Sequence, residues 1–86
     1  MEASLLKTRI IAVADIYVPV KRKKSLDPDK VDVLAESIMS EGQKVPIHVR
    51  QDGTRLVLVE GLHRLEACIA LGEDTIQAIL VHARQH

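Results

Sequence analysis

The stretch from Val45 to Val59 commits this chain to a β-sheet. Val45, Ile47 and Val49 alternate with Pro46, His48 and Arg50, the period-two pattern of a strand with one buried face. Pro46 marks either an edge strand or the beginning of one, because it brings no backbone N–H to a ladder. Asp52-Gly53 follows as a turn. Arg55-Leu56-Val57-Leu58-Val59 then returns as a strand apolar on both faces, which places it centrally and completes a hairpin.

The flanks supply the rest of the fold. Arg9 to Ala14 is a β-rich apolar run closed by Asp15 and reads as a short buried strand. Tyr17-Val18-Pro19 turns the chain into the basic run Lys21-Arg22-Lys23-Lys24, which reads as a loop. Asp27-Pro28 then opens a helix over about 28–41: Asp27 is the N-cap, Pro28 takes the first helical position, and Asp29 sits beside the positive end of the dipole. Val31, Leu34, Ala35, Ile38 and Met39 recur at helical spacing as its buried stripe, and Gly42 closes it. Leu65, Cys68, Ile69 and Leu71 predict a second helix over about 62–71, ended by Gly72. Thr75 to Val81 is a last strand with Ile76, Ala78 and Leu80 on one face, and Ala83 to His86 are expected to fray. The expectation is one α+β domain spanning residues 1–86, structured over about 9–81, with a four-stranded mixed sheet and two main helices.

Composition narrows the function. With 86 residues the chain buries enough surface for only one small core, and Tyr17 is its only aromatic residue. Base-stacking platforms, which need several aromatics, are therefore disfavoured. Twelve basic and twelve acidic residues cancel, so the surface as a whole does not track a nucleic-acid backbone. The balance is uneven: residues 1–50 hold nine Lys/Arg against seven Asp/Glu, and residues 51–86 hold three against five. The run Lys21 to Lys24 concentrates the excess, either as a solvated loop or as a face toward phosphate or DNA. The lone Cys68 cannot form an internal disulfide, there is no signal-peptide pattern, and no apolar run approaches the ~20 residues of a membrane span. These features read as a soluble cytoplasmic protein without a membrane partner.

The segment Glu60-Gly61-Leu62-His63-Arg64 carries the chemistry. A strand running through a glycine into a helix start leaves backbone N–H groups unpaired and pointing the same way, which is a ready anion site. Cations at that end of a helix have the wrong sign unless an anion joins them. Gly61 lets a backbone approach a phosphate closely, Arg64 can fork two hydrogen bonds onto its oxygens, and His63 can donate from either ring nitrogen. The plain alternative is that His63 and Arg64 are solvated, with Arg64 pairing Glu60 or Glu66 at the surface. On the first helix, Lys30 and Ser37 are two turns apart and project from one face, distinct from the Val31/Leu34/Ile38 stripe.

The order of elements, "SLDPDKVDVLAESIMSEGQKVPIHVR" and then "VLVEGLHRLEACIALGEDTIQAILV", resembles the N-terminal domain of the ParB/sulfiredoxin superfamily across nearly the whole chain. ParB partition proteins carry Gly-Glu-Arg-Arg at the turn and sulfiredoxins carry Gly-Gly-Cys-His-Arg; Gly61-Leu62-His63-Arg64 is similar to the second in its histidine and arginine. The resemblance implies a nucleotide-phosphate site, with His63 and Arg64 on the phosphates of ATP or CTP. It places a family lysine on Lys30 and a family threonine on Ser37, while a serine falls on Val33 and is lost. Lys23 is the nearest match to the arginine of a Pro-Arg-Lys segment near the ligand in ParB proteins.

The departures limit the reading. The sulfiredoxin nucleophile falls on Leu62, which cannot form a thiosulfinate, and Cys68 lies too far along the helix to replace it, so a sulfiredoxin-type reductase is not expected. ParB proteins continue past the last strand into a nucleotide-gripping motif, a helix-turn-helix and a dimerisation domain; the sequence given ends at His86, so clamp formation and centromere recognition are not expected from these residues. Some family members are nucleases, ATPases or small-molecule kinases, chemistry that calls for a carboxylate or a divalent ion such as Mg2+. Glu60 is the best-placed catalytic candidate, with Glu36 and Asp32 weaker; His48 and His63 show no metal-ligand spacing, so no metal site is assigned. Three functions stay open. One is a module binding nucleotide or DNA phosphates at Gly61, His63, Arg64, Lys30, Ser37 and Lys23, acting in plasmid partition, chromosome maintenance or transcription. The others are a metal-dependent nuclease or NTPase using Glu60, and a non-catalytic module for a protein partner.

Overall fold

The computed structural model describes residues 7–82, so the tail Ala83 to His86 lies outside it. Among the described residues the elements run β1 (Thr8–Ala12), a 3-10 turn (Val13–Asp15), β2 (Ile16–Tyr17), α1 (Val20–Lys23), α2 (Pro28–Glu41), β3 (Ile47–Asp52), β4 (Arg55–Glu60), α3 (Leu62–Ala70) and β5 (Thr75–Leu80). The strands form one mixed sheet in the order β1-β5-β3-β4-β2. Thus the α+β class holds, and the expected four strands become five with a third, short helix.

Both additions come from segments too short to show a period. Ile16 and Tyr17 pair in parallel with Leu56 and Val57, adding two residues of strand along β4 where a turn was expected. Pro19 caps a single helical turn, and the basic run falls inside it up to its C-cap Lys24, so that Lys21, Arg22 and Lys23 complement the negative end of the dipole. α2 follows the expected bounds. The Asp27 carboxylate accepts from the Asp29 N–H at 3.0 Å, Pro28 needs no partner for its nitrogen, and Gly42 at φ 79 ends the helix.

The hairpin lies inside the sheet. β3 pairs antiparallel with β4 and parallel with β5, so the edge reading of Pro46 is wrong and the strand-start reading is right: the proline sits one residue ahead of the ladder. β1 is the outer strand beside β5, and its Ile10 is 64% exposed, contrary to the expected buried strand.

Ile47, Val49 and Leu58 of the hairpin meet Leu62, Leu65 and Cys68 of α3, Ile38 of α2, and Ile76 and Ala78 of β5. Fully burying side chains such as Ile47, Val49 and Leu65 contributes about 1.5–3 kcal/mol each. Three expected core residues lie outside this cluster: Val45 precedes the strand, Met39 sits past the edge of the α2 stripe, and Ile69 is turned outward on α3, so all three are largely exposed. A side chain completes the sheet where β3 has not yet begun. The Gln43 carboxamide accepts from the Gln77 N–H at 2.8 Å and donates to the Gln77 carbonyl at 3.0 Å, standing in for a strand residue beside β5.

Candidate functional site

β4 runs straight into α3 through Gly61, and this junction forms the base of a cleft of about 570 Å³. Gly61 has φ 106 and ψ 31, a left-handed conformation that side chains resist. A Cβ there would also lie 2.7 Å from Ile47 Cγ2 and 3.2 Å from Ile47 Cα. The glycine is therefore demanded by its own backbone and by the buried strand beneath it, rather than by clearance toward a ligand. Leu62, between Gly61 and His63, is buried with 5% exposure.

Among the described residues no side chain caps the N-terminus of α3, and no acidic residue occupies its first turn. The Leu65 N–H is the first to close the helix, bonding the Gly61 carbonyl at 2.9 Å, so the N–H groups of Leu62, His63 and Arg64 precede the intrahelical ladder. Arg64 and His63 line the cleft together with Glu60 and Gly61. Among the described residues Arg64 forms no ion pair, and the pairs present there, Lys44–Glu41 at 3.4 Å and Arg55–Asp52 at 3.7 Å, do not involve the cleft. The anticipated surface pairing of Arg64 with Glu60 or Glu66 is thus not formed.

His63 is held more tightly than its sequence position indicates. The Asp27 N–H donates to His63 Nε2 at 3.0 Å, tying the start of α2 to the start of α3. That nitrogen is an acceptor, so the neutral ring carries its proton on Nδ1 and has one donor to offer instead of a choice of two.

The other expected residues divide. Lys30 lines an adjoining cleft of about 380 Å³ with Asp29 and Val33, and this cleft shares His63 and Leu34 with the first. Ser37 and Lys23 are exposed and line neither cleft. In place of Lys23 stands Arg22, whose guanidinium donates to the Val59 carbonyl and reaches the cleft from α1. Ser25, which the sequence does not mark, also lines it, as does His48, which the sequence pairs with His63 only as a metal candidate without ligand spacing. His48 was recoverable only in part. Counting back from the Asp52↔Arg55 turn puts it opposite Val59, but a bulge between His48 and Val49 shifts the register and brings it opposite Glu60.

Cys68 belongs to the core, at 2% exposure. Burial pushes its thiol up from the ordinary 9.0, the Glu73 carboxylate adds to the rise, and the Arg64 charge partly offsets both. The thiol therefore stays protonated at neutral pH. Among the described residues no three His, Cys, Asp or Glu side chains gather as a metal site, and no helix is long and apolar enough to cross a membrane.

A five-stranded mixed sheet backed by α2 and α3, with a strand-Gly-helix junction carrying His63 and Arg64, is the architecture of a ParB/sulfiredoxin-like domain. A model of the ParB N-terminal domain matches residues 2–86, and the chain belongs to that family. Among solved structures it is similar to sulfiredoxin from Arabidopsis thaliana, with a TM-score of 0.81 and 31% identity over 90% of this chain and 86% of that one. It is also similar to the C-terminally truncated chromosome-partitioning protein ParB from Caulobacter crescentus complexed with CTP-gamma-S, with a TM-score of 0.78 and 19% identity. A variant of a free serine kinase in complex with ADP has a TM-score of 0.74 and 16% identity. This chain covers 92% of itself but 46% of the ParB chain in the one alignment, and 86% of itself but 30% of the kinase in the other. Among curated proteins none matches the chain.

Proposed function

We propose that the cleft at the start of α3 binds the phosphates of a nucleotide. The observation that carries this reading is an uncapped helix N-terminus whose first turn holds a histidine and an arginine, with no carboxylate paired to that arginine among the described residues. A phosphate supplies the missing negative charge, accepts from the free N–H groups and from the Arg64 fork, and takes the remaining His63 Nδ1–H. Lys30 then meets the ligand from the adjoining cleft, beyond His63. The relatives complexed with CTP-gamma-S and ADP support nucleotide as the source of that phosphate. Ser37 and Lys23 are outside the binding set in this reading.

The test is the melting temperature of the protein with ATP, ADP, CTP and inorganic phosphate. A ligand-dependent rise is expected, and Arg64→Ala removes most of it while leaving the unliganded midpoint nearly unchanged. Absence of a shift with all four ligands refutes the reading.

A second reading is favoured by the position of Glu60 on the same cleft as the cations. Mg2+ characteristically takes one or two carboxylates together with substrate phosphates and waters, so Glu60 is the residue that would hold it in a nuclease or NTPase. Hydrolysis of nucleotide or plasmid DNA that needs Mg2+ and disappears in Glu60→Gln supports this reading; unchanged hydrolysis in that variant excludes it. Direct contact with DNA phosphates is tested with a labelled duplex, whose retention should weaken steeply with salt. A partner protein that binds equally well after His63→Ala and Arg64→Ala would mark the cleft as irrelevant to it.

A further inference from the structure

The sheet curls, and the helices fill its inside at one end only. Between Ala12, which pairs with Thr75 of β5, and Ile16, which pairs with Leu56 of β4, the chain takes four steps and spans at most about 14 Å. A flat sheet of five strands would hold β1 and β2 about 19 Å apart. The strands therefore bend around one face, which the registers Ile11↔Ile76, Val49↔Leu80 and Gln51↔Leu56 assign to Ile11, Val49, Leu56 and Leu80. α2 and α3 pack into this trough through Ile38, Leu62, Leu65 and Cys68. Beside the Asp52-Gly53 turn it stays open as a cavity of about 530 Å³, which shares no lining residue with the cleft at α3. That volume falls within the usual range of small-molecule sites, about 300–1,000 Å³.

The floor of the cavity is aliphatic and its mouth is charged. Val49 and Ala78 are buried, and Ile11, Leu56 and Leu80 are half-buried beside them. Arg9 from β1 and Asp15 from the turn after it are exposed on the same lining, and among the described residues no ion pair joins them. Arg55 also lines the cavity, but residues outside it engage its guanidinium: the Asp52 carboxylate at 3.7 Å and the Tyr17 ring at 4.1 Å. A simple anion here would satisfy Arg9 and repel Asp15, and a simple cation would do the reverse. A neutral hydrocarbon would cover both charges without replacing their water. A molecule with both charges on one carbon and an apolar side chain beside them meets all three features.

We propose that this cavity binds a free α-amino acid with an aliphatic side chain: Arg9 takes the carboxylate, Asp15 takes the ammonium, and the side chain lies on Ile11, Val49, Leu56, Ala78 and Leu80. The Gln51 amide nitrogen donates to the Gly53 carbonyl at 3.1 Å, which leaves its oxygen as a further acceptor for the ammonium. This site does not rest on the phosphate cleft, and no covalent bond is made or broken in it.

The experiment is a two-dimensional NMR titration of the full chain with leucine and three relatives of it. Isocaproate keeps the skeleton without the ammonium, isoamylamine keeps it without the carboxylate, and glycine keeps both charges without the side chain. Leucine should move the Ile11, Gln51, Thr54 and Leu80 amides, leave His63 and Arg64 in place, and bind about fivefold to tenfold more tightly than each of the three. Arg9→Gln should lose the preference for leucine over isoamylamine and keep that over isocaproate; Asp15→Asn should do the converse. Each readout is a ratio within one variant, so lowered stability does not mimic it. Wild type that binds leucine no better than glycine or isocaproate overturns the proposal, as do variants with unchanged preferences. Shifts centred on the start of α3, or none at high-millimolar leucine, overturn it as well.

Discussion

The two long helices begin in opposite ways. At α2, Asp27 accepts from the Asp29 N–H, Pro28 removes one donor, and Asp29 places a second carboxylate against the dipole. At α3 the cap is Gly61, no side chain among the described residues accepts from the first turn, and the charged residue supplied there is a cation. The same backbone demand is met within the chain at one helix and left for an outside anion at the other. His63 joins the two, because its Nε2 accepts the N–H of Asp27 at the completed end while its ring lines the cleft at the incomplete end. A helix start that withholds its own cap gives up stability locally, and such breaks in local rules are characteristic of functional sites.

The comparison can be broken by substitution. Gly61→Ala has the largest expected effect, a loss of about 2–4 kcal/mol, because it combines a strained left-handed backbone with overpacking against Ile47. Urea unfolding reads it, and a loss below ~1 kcal/mol would mean that the junction relaxes freely. Asp27→Ala at the self-capped helix should cost about 1 kcal/mol, with nucleotide binding reduced only through the displaced His63. Arg64→Glu sharpens the contrast most. It gives α3 the carboxylate that α2 already has, so it should gain about 0.3–1 kcal/mol of stability while abolishing nucleotide binding. A destabilised Arg64→Glu would show that the first turn of α3 is not short of negative charge.

The smallest effect belongs to Cys68. Its thiol is raised in the folded state by burial, then by Glu73, so the folded chain holds that proton more firmly than the unfolded chain. The stabilisation is fully present below the unfolded value of 9.0 and is lost as pH rises through the folded value. Stability of wild type should therefore fall above pH 9 more steeply than that of Cys68→Ala, whatever the cavity costs at neutral pH. Parallel curves would contradict the raised thiol.

Much of this was legible in the residues. Helix α2 declares itself through Asp27, Pro28, the apolar stripe and Gly42, since capping and periodicity agree over fourteen residues. The hairpin and the α3 junction are equally local, which is why Gly61, His63 and Arg64 could be grouped. What escaped depends on long-range geometry. A two-residue strand such as β2 has no period and exists only because β4 lies beside it. Choosing Arg22 over Lys23 needs the phase of a one-turn helix, which four consecutive basic residues do not reveal. The placement of Glu60 opposite His48 depends on a bulge, and the Gln43 mimicry of a strand depends on β5, thirty-four positions away.

The most direct measurement is an amide-resolved titration of the protein with ADP or CTP by two-dimensional NMR. Binding at the incomplete helix end should move the Leu62, His63 and Arg64 amides first and furthest, with Asp27 following through the His63 bond and Asp29, already capped, moving little. Changes centred on Asp29, or no change at any of these amides at millimolar nucleotide, would contradict the account.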